Sequence, residues 1–414
     1  MRKKYFKIAF SCFLLLAFVS LISFTQEDKV SDSKEFDANY PTTTYNYRGV
    51  ISADIGDGDS NHELVCDFGS LGIWLYDSGT GWHKLTSDNP ETIIGVQFWA
   101  ADYEIVADFG SMGVWWWNYT GYPGTWLKIS PDNPESMLAL DDDGDGHDEI
   151  QVDFGSLGIW RYDDDTTSWS KLTGDNPYSS FLRSDLWDTG WEEGAWSFTS
   201  GLWNVYLDVL GKHWTRLSPD SIGSDNASAD VGVGDDSEEL VIDFMNLGIW
   251  VCEEGLFPGR TWHKITGDSP WDMRAVRFVG APDYEIVTCF NFVNGLWYWN
   301  YSGWPGTWTR LSPDNPTGDE AFCEPFDPDG LSETSGDEEL AVDFGTLGLW
   351  LYNFAGTPHW RRIRTWSPSF MVRSDLYGDG VNDILICDFG ANGLWIYDGL
   401  FDSWMKLSPD SPDG

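Results

Sequence analysis

Asp141, Asp143 and Asp145 alternate along the stretch ALDDDGDGHDEI, with Gly144 and Gly146 interleaved and Glu149 four residues further on. Carboxylates on every second residue of a glycine-bent loop can turn toward one centre as hard oxygen donors. The backbone carbonyl of His147 falls between them, so donors stand at positions 1, 3, 5, 7 and 9 of the loop. Ca²⁺ takes about 6–8 oxygens at roughly 2.3–2.6 Å, whereas Mg²⁺ demands a tighter octahedron, so this spacing predicts calcium. A solvated acidic turn is the alternative. A second version, Asp375, Asp379 and Asp383, has Tyr377 at the third position and predicts a weaker calcium site. Longer variants hold Asp54, Asp57, Asp59 and Glu63, then Asp230, Asp235, Asp236 and Glu239, then Asp327, Asp329 and Glu339.

A second constellation is aromatic. Trp116 and Tyr298 occupy matching strand positions, and Tyr122 and Trp304 occupy matching G-[YW]-PG turns. Trp187, Trp191 and Trp196 surround Glu192 and Glu193. Flat rings beside carboxylates suit sugars, whose C–H faces stack on the ring while hydroxyls meet acceptors. Packing between repeats is the competing explanation for these rings. Asp188, Glu192 and Glu193 could also supply paired carboxylates for glycoside chemistry. No HExxH, GxSxG or P-loop accompanies them. The histidines fall in variable slots of the repeat: His83 and His263 in W-x-K, His213 and His359 just before a tryptophan.

What must position these groups is a repeat. Eight copies of a strand ending in DFG, or a variant of it, run into GLW and then W-x-K-L. The first tryptophans are Trp74, Trp115, Trp160, Trp203, Trp250, Trp297, Trp350 and Trp395, spaced 41 to 53 residues apart. That period belongs to propeller blades or solenoid coils. In the third copy Ile150, Val152 and Phe154 alternate with Glu149, Gln151 and Asp153, the period of a strand. Met137 to Leu140, Gly158 to Tyr162 and Trp169 to Leu172 supply three more strands, and no helical period intervenes. Four short antiparallel strands make one blade, which cannot bury its own faces and must stack on others. The fold class is therefore all-β, a β-propeller of eight four-stranded blades. The Asp of DFG is expected to be structural, accepting backbone N–H groups beside its glycine turn.

Copies 1 and 5, 2 and 6, 3 and 7, and 4 and 8 share motifs such as DYEIV at Asp102 and Asp283 and RSDL at Arg183 and Arg373. The chain is thus a duplicated set of four repeats, with residues 45–222 and 223–414 as the halves. One eight-bladed ring over 45–414 is favoured over two four-bladed rings, because the junction at LSPDSIGSDNAS is no longer than the others.

Residues 1–26 read as a signal peptide, with Arg2, Lys3, Lys4 and Lys7 before an apolar run from Ile8 to Phe24. An uncleaved anchor is the alternative, since a span needs about 20 apolar residues. Residues 27–44 form a linker. The predicted location is secreted and extracellular, or periplasmic, with no membrane insertion once the signal is removed. Net charge is −43, and removing the four signal cations takes it to −47. Such a field repels nucleic acid and anionic lipid and attracts divalent cations. Cys66, Cys252, Cys289, Cys323 and Cys387 remain after the signal, and Cys66 and Cys387 occupy a core strand slot. Small buried core residues, not a disulfide framework, are the expectation.

ALDDDGDGHDEIQVDFG resembles the FG-GAP/VCBS-type repeat of integrin-like propellers, where an acidic D-x-D-G-D-G loop precedes an apolar strand. The GLW continuation after DFG departs from that family's FG-GAP ending. The resemblance implies a ring-shaped propeller with calcium in its loops and a role in adhesion or carbohydrate recognition. The expected protein is a monomeric calcium-binding module whose partner is a glycan or a cell-surface protein. A carbohydrate-active enzyme (polysaccharide lyase or glycoside hydrolase) and a structural scaffold are the alternatives.

Overall fold

The computed structural model describes residues 45–47, 49–56, 58–98, 102–186, 192–208, 211–223, 226–232, 237–253, 260–278, 283–290, 295–317, 322–328, 338–354 and 358–412. Residues 1–26 and 27–44, read from the sequence as signal peptide and linker, lie outside the described residues.

Eight antiparallel sheets follow one another along the chain, each built from four consecutive strands, here A to D. The first sheet carries one strand more, Tyr45–Tyr47, paired to Val50–Ala53. In blade 3 the strands are Ser136–Leu140, Glu149–Asp153, Ile159–Asp163 and Ser168–Lys171, within one residue of the sequence pattern at each end. The A strands of successive blades approach one another, which places them at the centre of the ring.

The repeat motif is explained by the turn between strands B and C. Gly155–Leu157 forms one 3-10 turn, and Gly158 leaves it at φ 79°. A Cβ on Gly158 would meet the Thr173 carbonyl at 2.2 Å. The equivalent glycine of all eight blades, from Gly72 to Gly393, meets the matching carbonyl at 2.1–2.3 Å. Only glycine allows that approach and that φ. Asp153 closes the turn by accepting the Gly155 N–H at 2.8 Å. From the exit turn, the hydroxyls of Ser269 and Ser411 donate to Asp243 at 2.9 Å and to Asp388 at 2.8 Å. The DFG aspartate is a turn fastener.

The apolar core is not one body. It divides into eight clusters, each lying between two neighbouring blades. Strand B is consequently buried on both faces, as Glu149–Asp153 shows. The polar half of its alternation faces another blade and not water. Gln151, fully buried, donates to Asp142 Oδ2 at 2.9 Å and accepts the Trp196 indole N–H of blade 4 at 3.0 Å.

The second tryptophan of the repeat ties the rim together. Trp82, Trp126, Trp169, Trp262, Trp308, Trp360 and Trp404 each donate an indole N–H to a carbonyl of the preceding blade at 2.9–3.4 Å. Trp262 reaches back from the second half to Leu217 of the first, and Trp82 reaches Leu407 of blade 8. Ser52 and Ser374 join the inner strands of blades 1 and 8 at 2.8 Å. One ring of eight blades closes, and two four-bladed rings are excluded. Among the described residues, the five cysteines are buried thiols. Among the described residues no helix is long and apolar enough to cross a membrane.

Candidate cation centre and inter-blade clefts

The loop between strands A and B is positioned by a bracket that recurs around the ring. The residue just before strand B donates its N–H to the carbonyl at the end of the preceding blade's strand A. Asp148 does so to Gln97, Glu192 to Asp141 and Glu338 to Arg277, at 2.7–2.8 Å. Its side chain then accepts that partner's N–H, at 2.8 Å for Asp148 and 3.0 Å for Glu192 and Glu338. Tyr103 and Tyr284, in the blades without acidic loops, make the backbone half of the bracket to Asp54 and Asp230 at 2.8 Å.

The first residue of strand B is a glutamate in blades 1 to 7. Glu63, Glu104, Glu149, Glu193, Glu239 and Glu285 each accept a backbone N–H from the start of their own loop at 2.7–3.2 Å. Blades 2 and 6 lack the acidic loop and still carry this glutamate, so its recurrence follows the fold and not a metal. Burial pushes the Glu104 carboxyl up to about 8, against the pull of the Phe98 amide.

In blade 3 the loop acids divide into two groups. Asp141, Asp143 and Glu149 bring ligand oxygens within 4.8 Å of one another. Both Asp141 oxygens also accept loop amides, Gly144 at 2.6 Å and Gly146 at 2.9 Å. Arg161 of strand C enters this group from below. It donates to Asp142 at 2.6 Å and to Asp143 at 2.7 Å, and lies 3.2 Å from Glu149. Burial raises Asp142 and Glu149, and the Arg161 guanidinium opposes that rise in both. Sister blades put Leu75, Trp116, Asn204, Val251, Tyr298, Leu351 and Ile396 at the Arg161 position. A lone charge in an otherwise uncharged strand slot was the sequence signal for this residue. Three convergent carboxylates with spare lone pairs fit a hard divalent ion, which would share Asp143 and Glu149 with Arg161.

Asp145 and His147 stand in the other group, with Asp165 of the C–D turn. The loop of blade 8 does not assemble in this way. Asp375 accepts the amides of Asp379 at 3.1 Å and Gly380 at 2.8 Å, and Asp379 accepts Val381 at 3.1 Å. Asp383 is pushed up to about 7 by burial and by Asp379, Asp398 and Asp375. Among the described residues, no three acids of blade 8 bring ligand atoms within 4.8 Å. Asp57, Asp235, Asp236 and Asp329 lie outside the described residues.

The aromatics outside the repeat are drawn into packing. Tyr122 stacks on His83 of the neighbouring blade at 3.7 Å and 6°, and Trp304 stacks on His263 at 3.8 Å and 3°. Trp116 meets Phe98 edge-on at 5.6 Å, and Tyr298 meets Phe278 in the same way at 5.9 Å. Trp187, Asp188 and Trp191 lie outside the described residues. Glu192 and Glu193 are buried and committed, the first to the bracket and to Arg183 at 3.0 Å, the second to the Leu186 amide.

The rings left partly open are the first tryptophans of the repeat itself. A lysine or arginine from strand D sits over each at 5.4–5.9 Å, in all eight blades. Between blades 3 and 4 this ring, Trp203, borders a cleft of 570 Å³. Thr173, Asp175 and Asn176 of the blade 3 exit turn form one wall, and Phe198, Ser200 and Trp214 the other. The Trp214 indole N–H is buried without an acceptor, unlike its seven counterparts on the rim.

Fold and site together define an eight-bladed β-propeller with bracketed blade interfaces. No family model matches the chain, and no curated protein matches it. Among solved structures, it is similar to an Agrocybe aegerita lectin that recognises non-reducing terminal N-acetylglucosamine. That likeness has 14% identity over 78% of this chain and 94% of the lectin, at a TM-score of 0.51. It is also similar to Sqt1 of Saccharomyces cerevisiae, with 10% identity over 74% of this chain and 83% of that one, at a TM-score of 0.48. These likenesses are of fold.

Proposed function

We propose that this chain is an exported, calcium-stabilised propeller that binds glycans in clefts between its blades and serves in adhesion without chemistry of its own. The observation that carries this reading is the cleft between blades 3 and 4. An indole face at Trp203, an amide and a carboxylate at Asn176 and Asp175, and hydroxyls at Thr173 and Ser200 are the groups a pyranose needs. The lectin similarity accords with this use of a propeller.

The first tryptophan and its cation recur in every blade, which suits a ligand that repeats. Engagement of several clefts by one polysaccharide would raise avidity by roughly 10²–10⁴ over a single cleft. Calcium would be held by Asp141, Asp143 and Glu149, adding fixed charge to a loop that Arg161 already anchors. The negative field of the chain accords with a cation-dependent surface role.

A glycan array probed with the full chain, in calcium and in chelator, tests the reading. Retention on a defined set of glycans is expected, reduced by Trp203→Ala and by Asp175→Ala. Equal signals from wild type and both variants would refute the cleft. Incubation with polysaccharides is expected to release no new reducing or unsaturated ends.

A further inference from the structure

The acids of blade 3 outside the Arg161 group converge on an imidazole. Asp145, His147 and Asp165 place ligand atoms within 4.8 Å of one another. His147 Nδ1 lies 3.9 Å from Asp145 Oδ1 and 4.0 Å from Asp164 Oδ2. The Asp164 side chain is 1% exposed, and no side chain donates to either of its oxygens, which feel only the pull of the adjacent Asp165 amide. His147 Nδ1 is likewise buried without a partner, although the ring as a whole is one-third exposed. Asp164 also lies in the field of Asp145 and Asp165, and it raises Glu104 of blade 2 together with Asp148. A carboxylate shut away from water, without a side-chain donor and among other acids, is costly unless a cation joins it.

We propose that Asp145, His147, Asp164 and Asp165 form a second divalent-cation site, which takes a borderline transition ion of the zinc class. The ring nitrogen decides the class. Calcium takes oxygen donors only, whereas imidazole with carboxylates is a zinc-type set. The separations of 3.9 and 4.0 Å fall within the reach of two metal–ligand bonds of about 2.0–2.2 Å each. The ion would tie the A–B loop, which carries Asp145 and His147, to the C–D turn, which carries Asp164 and Asp165. Neither the glycan reading nor calcium at Asp141, Asp143 and Glu149 of the same loop is needed for this site.

Calorimetric titration of the full chain with Zn²⁺ in millimolar calcium tests the assignment, with visible absorption of bound Co²⁺ as a second readout. A single Zn²⁺ that calcium does not displace is expected. His147→Gln and Asp164→Asn are expected to weaken it at least about tenfold and to abolish the Co²⁺ bands of imidazole ligation. The calcium-induced shift in Tm is expected to survive in His147→Gln, whose side chain is partly exposed. Equal zinc affinity in wild type and His147→Gln would overturn the site. So would stoichiometric displacement of zinc by calcium.

Discussion

His62 and Asp375 bracket each other across the seam where the ring closes. The His62 N–H donates to the Asp375 carbonyl at 2.8 Å, and the Asp375 N–H returns to His62 Nδ1 at 3.3 Å. In blades 3, 4, 5 and 7 a carboxylate fills the accepting role, as Asp148, Glu192, Glu238 and Glu338 do. At the seam the acceptor is an imidazole, so closure depends on a ring that must stay neutral.

Burial lowers His62 from 6.5 to about 4. The unfolded chain therefore binds the proton first as pH falls, and stability drops between about pH 6.5 and 4. The cost is about 2–4 kcal/mol at the acid end of that window. His62→Gln keeps an acceptor and cannot titrate. Its Tm relative to wild type is expected to rise steadily from pH 7 to pH 4, and a constant difference would contradict the assignment.

Arg161 is the resident counter-ion of Asp142 and Glu149, all three buried. Arg161→Met leaves two carboxylates without it, at an expected cost of about 3–5 kcal/mol in chelator. Calcium in the loop would take over part of that charge. The variant's calcium-induced Tm shift is expected to exceed that of wild type, measured by scanning calorimetry.

Gly158 and Gly121 both have φ near 80° (79° and 86°) but differ in their surroundings. A Cβ at Gly158 meets the Thr173 carbonyl at 2.2 Å, while one at Gly121 meets nothing within 4 Å. Gly121→Ala is expected to cost only the backbone term of about 1–3 kcal/mol. Gly158→Ala adds a backbone clash and is expected to unfold at lower denaturant than Gly121→Ala.

Trp169 and Trp214 occupy the same rim position in successive blades. Trp169 donates to Ile129 at 2.9 Å, whereas Trp214 has no acceptor. Trp169→Phe should lose about 1 kcal/mol of stability by the loss of that bond. Trp214→Phe removes no hydrogen bond and is expected to melt closer to wild type, a difference that scanning calorimetry reads. The pair separates an indole bonded across the rim from one that only packs there.

The blade itself was legible in the chain. A strict strand period, a glycine before each first tryptophan and a recurrent exit turn are local, so spacing alone fixes them. DFG, too, was readable as a turn fastener, because its partners lie within the same repeat. The two constellations chosen for chemistry fared differently. Spacing put Asp141 to Glu149 in a single loop, but side chains turn individually, and Arg161 comes from a strand that the loop pattern does not contain. Asp164 and Asp165, read only as part of a polar loop, meet His147 through the pairing of strands B and C, which brings loop and turn to one edge of the blade. Tyr122 and Trp304 were visible as unusual rings, yet the histidines they stack on belong to neighbouring blades.

By itself the sequence determined the all-β blade, its eightfold count and its acidic character. Whether those blades formed one ring or two was left to contacts such as that of Asp375 with His62, 313 residues apart. The core lies between sheets and not within them, so closure is a property of packing, and no local pattern encodes which blade meets the first.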